Sequence, residues 1–305
     1  MKILIGYDGS KSAEAALDDL QHAGLPADCE ALVLSIAEVW LPIQSFNGSN
    51  WGINLDADTE EYLRKHFEKN KPAVGEAETF ARHAKNRLLA KFPGWKISAE
   101  TGYGSPGWEI LDKAAAFEPD LIVVGSQGRS SVGRFFLGSI SNKILTEAKC
   151  SVRVARGKVE VDPFPVRVII GFDGSPGAKA AVKAVAGRLW REGSEIRLVA
   201  ASSQVAPVAI ERFVPPIASW VKDEVKAVSE WMKRLADDSL RLLGDRGLAA
   251  TLHITAGNPK QVLVEEAQKW HADSIFVGAN SGSTSAAVAA RAHCSVEVVR
   301  AKANQ

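Results

Sequence analysis

Apolar and polar positions along the first half of the chain alternate between two periods. Short apolar runs fall at about 2–7, 30–38, 96–102, 120–125 and 151–155, and helical patterns near 10–22, 58–92, 105–117 and 139–148. Short apolar runs bounded by turn residues read as buried strands. Strands alternating with helices read as a parallel sheet covered on both faces. The right-handed crossover rule then predicts a doubly wound α/β sandwich, Rossmann-like, with five strands. The long helix carries a capping box, Asp58 as N-cap with Glu61 three residues on. Ligands of such sheets bind beyond the carboxyl ends of the strands. Asp8, Ile36 and Gly125 all lie at such ends.

The pattern then repeats. Lys2-Ile3-Leu4-Ile5-Gly6-Tyr7-Asp8-Gly9-Ser10 returns as Arg167-Val168-Ile169-Ile170-Gly171-Phe172-Asp173-Gly174-Ser175. Gly104-Ser105-Pro106 returns as Gly257-Asn258-Pro259, and Asp120–Gly125 returns as Asp273–Gly278. Cys150-Ser151-Val152-Arg153-Val154 returns as Cys294-Ser295-Val296-Glu297-Val298. So long a period means a duplicated domain rather than a solenoid. The expected organisation is a domain over 1–157, a Pro-containing linker over 158–165, a second domain over 166–301 and a tail of 302–305. The last strand of each half is apolar and needs cover, so the halves are expected to pair through 151–155 and 295–300. A homodimer of the whole chain is expected as well.

One loop carries candidate chemistry. After Leu121-Ile122-Val123-Val124 the chain runs through Gly125, Gly128 and Gly138-Ser139 at the spacing G-x2-G-x9-G-S, and a helical pattern follows. Amides freed by glycines between a strand and a helix make an anion cradle, and beside a parallel sheet the natural anion is a nucleotide phosphate. The bland alternative is a tight loop without a ligand. Asp8-Gly9-Ser10 reads first as a strand-to-helix turn with Ser10 as N-cap. Arg129 and Arg134 carry guanidiniums suited to phosphate; solvated loop arginines are the alternative, and Arg129 is the better candidate.

Composition narrows the classes. The 305 residues are 46% hydrophobic with a net charge of +1, which gives no ground for a nucleic-acid or membrane-surface protein. No apolar run reaches membrane-span length, and the opening residues run into domain pattern rather than a signal peptide. Three cysteines without CxxC spacing fit a reducing cytoplasm, with Cys150 and Cys294 read as small buried hydrophobes. The six histidines show no metal-ligand spacing and read as surface or helix-end residues. Trp190, Trp220, Trp231 and Trp270 read as core or helix contacts. No P-loop, dinucleotide fingerprint or nucleophile elbow is present.

These residues resemble the universal stress protein family in its tandem two-domain form, over essentially the whole chain. The loop at Gly125, Gly128, Gly138 and Ser139 is similar to the motif of the family's ATP-binding branch. The resemblance implies that Asp8 faces the adenosine end of the nucleotide and that Ile36 lies against the adenine. It implies that Gly125, Gly128, Gly138, Ser139 and Ile140 hold phosphates, with Ser141 as a further hydroxyl ligand and Mg²⁺ or Mn²⁺ bridging the phosphates.

The second copy has lost the loop. Between Gly278 and Cys294 lie 15 residues where the first half has 24 between Gly125 and Cys150. Aligning Gly282-Ser283 with Gly138-Ser139 makes the deletion the x9 spacer, and Ser281 then stands where Gly128 stood. The second half is therefore expected to bind ATP weakly or not at all, and to serve pairing or regulation. The connection 41–56 reads as a lid or a surface excursion, and 201–216 as a contact segment or an ordinary covered loop. The overall expectation is an ATP-binding regulatory protein of the stress response. A slow ATPase or phosphoryl or adenylyl transferase, and a nucleotide-free interaction module, stay open as alternatives.

Overall fold

A computed structural model describes residues 1–39, 57–128, 137–156, 165–202, 215–279 and 284–301. The first half runs β1 (Lys2–Gly6), α1 (Lys11–Asp19), a 3-10 turn (Leu20–His22), β2 (Glu30–Ala37), α2 (Ala57–Lys91), β3 (Lys96–Tyr103), α3 (Pro106–Phe117), β4 (Leu121–Gly125), α4 (Ser139–Glu147) and β5 (Ser151–Ala155). The second half repeats it as β6 (Arg167–Gly171), α5 (Pro176–Ala186), β7 (Glu195–Ser202), α6 (Pro215–Gly244), β8 (Ala249–Ala256), α7 (Pro259–Trp270), β9 (Ser274–Gly278), α8 (Thr284–Arg291) and β10 (Ser295–Val299).

The strands form a ten-stranded sheet in the order β3-β2-β1-β4-β5-β10-β9-β6-β7-β8. Each half is a parallel, doubly wound sheet, as the alternation of patterns predicts. The two join through β5 and β10, which pair antiparallel with Arg153 opposite Glu297 and Val152 opposite Val298. Pairing through the last strands is thus observed.

Strand alternation sorts the seam into two faces. Val152, Val154, Val296 and Val298 point to one face, where a single core runs across both halves from Leu4, Leu32 and Ile122 to Ile169 and Ile275. On the other face the cores stay separate. One gathers Ile3, Ile5, Leu17 and Val123, and the other Val168, Ile170, Val182 and Phe276.

Caps repeat with the domains. Gly9 and Gly174 have φ of +73° and +76°, which a side chain would oppose. They let Ser10 and Ser175 cap α1 and α5, each hydroxyl accepting an amide at 3.2 Å. Asp120 and Asp273 sit just outside β4 and β9, where their carboxylates accept the amides of Lys2 (2.8 Å) and Arg167 (2.7 Å).

Some expectations are corrected. Helix α2 begins at Ala57, so Asp58 lies within its first turn rather than capping it. Trp231 is exposed on α6 rather than packed; His22 is at a helix end, as expected, and buried there. Cys294 is buried as expected, whereas Cys150 is half-buried. Residues 158–164 of the linker, the connection 41–56, residues 203–214, Arg129, Arg134 and the Ser281–Ser283 stretch lie outside the described residues, while Ala201 and Ser202 belong to β7 and Pro215 and Pro216 to α6 rather than to a loop. Among the described residues no helix is long and apolar enough to cross a membrane.

Candidate functional site

Three carboxyl ends of the first half's sheet open into a cavity of about 640 Å³. That is within the range of small-molecule sites, roughly 300–1,000 Å³. Its walls come from the ends of β1 (Tyr7, Asp8), β2 (Ile36, Glu38) and β4 (Gly125, Gly128), from α2 (Glu76, Phe80) and from the opening of α4. Asp8, Ile36, Gly125, Gly128, Gly138, Ser139, Ile140 and Ser141 all line it. Eight residues singled out in the sequence are brought together, and the ninth, Arg129, lies outside the described residues.

The turn after β1 places Asp8. Its Oδ1 accepts the amide of Ser10 at 3.0 Å. Its Oδ2 is 3.4 Å from where a Cβ on Gly128 would stand. Strand β2 runs on through Ala37 past its last pairing with β1 at Leu34, which sets Ile36 in the wall. Tyr7 is buried beside them, and its hydroxyl donates to Glu14 on α1. Burial pushes the Tyr7 pKa up, Arg87 opposes this, and Asp8 adds to it.

The three glycines do different work. A Cβ on Gly125 would lie 2.7 Å from the Ser12 carbonyl carbon and 2.8 Å from its oxygen. Gly125 is therefore a packing glycine that lets α1 close on β4. The same holds for Gly278, where a Cβ would lie 2.2 Å from Gly177 backbone. Among the described residues a Cβ on Gly128 would meet only Asp8 Oδ2, at 3.4 Å, and one on Gly138 would make ordinary contact with the Ser126–Gln127 backbone at 3.5 Å. Both line the cavity without the backbone clash that a side chain at Gly125 would meet.

Both ends of the loop are pinned. The Gly138 amide donates to the Ser126 carbonyl at 2.9 Å. The Ser12 hydroxyl accepts the Gln127 amide at 3.2 Å and donates to the Gln127 carbonyl. The Ser141 hydroxyl donates to the Gly125 carbonyl at 2.7 Å. Its proton thus ties α4 to β4, and as arranged it serves the loop rather than a ligand. Gly138 is the N-cap of α4, and no side chain caps the helix. The opening amides of α4, with the positive end of its dipole, therefore meet the cavity.

Ser12 went unnoticed in the sequence because a serine early in a helix is ordinary. The signal was in the repeat: Gly177 stands at the matching position of the second half. That half has no hydroxyl there to anchor a loop, and its matching cavity, lined by Phe172, Asp173, Ser175 and Gly278 among others, is about 140 Å³.

Among the described residues the large cavity has no Lys or Arg in its lining, and it has Asp8, Glu38 and Glu76. An anion there would be met by amides and a helix end, and a polar, hydroxyl-bearing ligand part by the carboxylates.

Comparison with known proteins agrees with this architecture. The universal stress protein family matches residues 1–156 and again 166–300. Universal stress protein Rv2005c of Mycobacterium tuberculosis is 26% identical over 214 residues, 68% of this chain and 66% of that one. The chain thus spans about two thirds of that curated relative. A universal stress protein of Mycolicibacterium smegmatis is 24% identical over 98% of this chain and 96% of its own. A crystal structure of a universal stress protein from Archaeoglobus fulgidus superposes with a TM-score of 0.60 at 21% identity, covering 98% of this chain and 96% of that one, which is a likeness of fold.

Proposed function

The chain belongs to the universal stress protein family, and from that premise we propose that it is a stress-response regulator that binds ATP in its first half only. The observation that carries the reading is the cavity of about 640 Å³ bordered by Gly128, Gly138 and the uncapped start of α4. It is paired with a second-half cavity of about 140 Å³. The phosphates would take the opening amides of α4, from Ser139 to Ser141, with Gly128 beside them in the wall. The adenosine would lie toward Asp8 and Ile36, with Glu38 beside the sugar hydroxyls. With carboxylates and no described lysine or arginine in the lining, a divalent cation accompanying the phosphates, Mg²⁺ or Mn²⁺, would balance charge.

ATP binding would stabilise the first half by mass action and so bias how the protein meets its partners. The second half would act through pairing. A dimer of whole chains would use some surface other than the β5–β10 seam, which the halves occupy with one another. The cytoplasm is the proposed setting.

Calorimetric titration with ATP and Mg²⁺ tests the reading, beside Gly138→Val, whose branched side chain would crowd the Ser126–Gln127 backbone that shapes the cradle. One site per chain, lost in the variant, is expected. Two sites would refute the silent second half. No binding, with no nucleotide released on denaturing the protein as purified, would leave a nucleotide-free interaction module.

A further inference from the structure

The polar face of the seam holds four ionised groups in a row. Arg153, at 0% exposure, donates to Asp19 from Nε (2.5 Å) and from a terminal nitrogen (3.0 Å). Its other terminal nitrogen reaches Glu297, 1% exposed, at 3.4 Å. Glu297 also accepts from Arg188, whose second terminal nitrogen donates to the Ala23 carbonyl at 2.7 Å. Ser295 donates to Asp19 at 2.7 Å. The Phe276 ring lies within 5.9 Å of one guanidinium and 4.9 Å of the other. Burial lowers the Arg153 pKa, but Asp19 and then Glu297 more than offset this, so the group stays charged.

Around this row the seam is symmetric. The Arg156 amide donates to Ser295 and the Arg300 amide to Ser151, both at 3.1 Å. The side chains of Arg156 and Arg300 donate to the carbonyls of Ala292 and of Cys150. Valines face valines. The repeat departs from symmetry at its centre: Arg153 and Glu297 occupy the same place in Cys-Ser-Val-x-Val and stand directly opposite each other.

We propose that this central pair makes the seam selective, so that the β5 edge of the first half accepts an antiparallel strand bearing a carboxylate opposite Arg153, which its own second half supplies, and refuses a second copy of itself. Each half neutralises its own charge, Asp19 with Arg153 and Arg188 with Glu297. Net charge therefore does not decide the pairing. Adjacency does. Two first halves docked by the same two-fold would set Arg153 against Arg153, and two second halves Glu297 against Glu297, with no water between them. Like charges brought together in a dry interface are strongly disfavoured, whereas the observed docking turns the same positions into an attraction. Apolar seam residues alone would tolerate all three pairings.

The test starts from the intact, folded chain with a protease site placed between residues 157 and 164. Isotope-labelled and unlabelled protein are cleaved, mixed, and held in urea raised until the labels scramble between complexes, then read by native mass spectrometry. Scrambled wild-type protein is expected to show first-half–second-half pairs with a preference of roughly 100-fold over like pairs. A statistical mixture would overturn the proposal. R188Q/E297Q removes the second half's carboxylate and its counter-charge together. Pairs of two second halves are then expected to rise by about tenfold or more. Unchanged selectivity in that variant would show that the charge row is not its source. Should the variant not fold, the wild-type distribution alone still decides whether the seam is selective.

Discussion

Gly125 and Gly128 stand three residues apart in one motif, yet the geometry assigns them different work, and alanine at each separates the two. At Gly125 the added Cβ meets Ser12 carbonyl carbon and oxygen at 2.7 and 2.8 Å, where ordinary contact begins at 3.4 Å. The obstacle is backbone, and it cannot recede easily: Ser12 is bonded to Gln127 and the helix start is held by the Ser10 cap. Overpacking of this kind costs about 1–3 kcal/mol, and the rigid neighbour puts Gly125→Ala at the upper end. At roughly 2 °C per kcal/mol for a protein of this size, the midpoint of thermal unfolding should fall by about 6 °C. At Gly128 the added methyl meets, among the described residues, only Asp8 Oδ2 at 3.4 Å, and φ lies outside the left-handed region. Its stability cost should stay within about 0.5 kcal/mol. The methyl enters the cavity, however, so ATP affinity should drop about tenfold, equivalent to ~1.4 kcal/mol. Scanning calorimetry without nucleotide gives the first quantity and titration the second. A Gly125→Ala protein that melts with the wild type, or a Gly128→Ala protein that melts as early as Gly125→Ala, would refute the division.

Four further outcomes are expected. Ser12→Ala removes both bonds to Gln127 and should cost about 1 kcal/mol in urea unfolding while weakening ATP binding, whereas Gly177→Ser in the second half should create no nucleotide site by titration. Arg153→Ala strands Asp19 in the dry seam, Glu297 keeping Arg188, and should lower stability by about 3 kcal/mol, read from the urea midpoint. Burial pushes the thiols of Cys29 and Cys294 to about 11 and about 12 and raises that of Cys150, so folded protein should react slowly with a thiol reagent near pH 8, and all three cysteines should react once unfolded. Burial raises the Asp273 pKa from its ordinary 3.8, against the pull of the Arg167 amide, so the native state holds that proton more tightly than the unfolded chain. Its contribution favours folding at low pH and is lost as pH rises from that value through the raised one. Asp273→Asn should therefore gain stability relative to wild type across that window and none below it, measured by urea unfolding against pH.

The fold was legible because its signals are local. A fully buried parallel strand must be apolar on both faces, so Ile3-Leu4-Ile5 and Leu121-Ile122-Val123 announce themselves, and the observed strand ends differ from the expected ones by about a residue. The convergence of Gly125, Gly128 and Gly138 on one cavity was legible in the loop's spacing. The close packing of Gly125 on Ser12 was not, because Ser12 comes from another element. The start of α2 was misplaced because an acidic residue suits the first turn as well as the cap. Arg153 and Glu297 were harder. A charged residue between two valines reads as the solvent side of a strand, and only the docking of two edges makes that side an interior. The clue was available in the repeat itself, at a position where two matching segments carry opposite charge.

Antiparallel joining of β5 to β10 turns the two sheets end for end. The carboxyl edge of one half and that of the other therefore look out from opposite rims of the molecule, the first rim with the larger hollow and the second with the smaller. Duplication of a unit followed by divergence has thus turned an object with interchangeable ends into one with a head and a tail. A partner that recognises the head finds one such surface per chain and meets it in one orientation. That sets a one-to-one stoichiometry and gives a line of such contacts a direction.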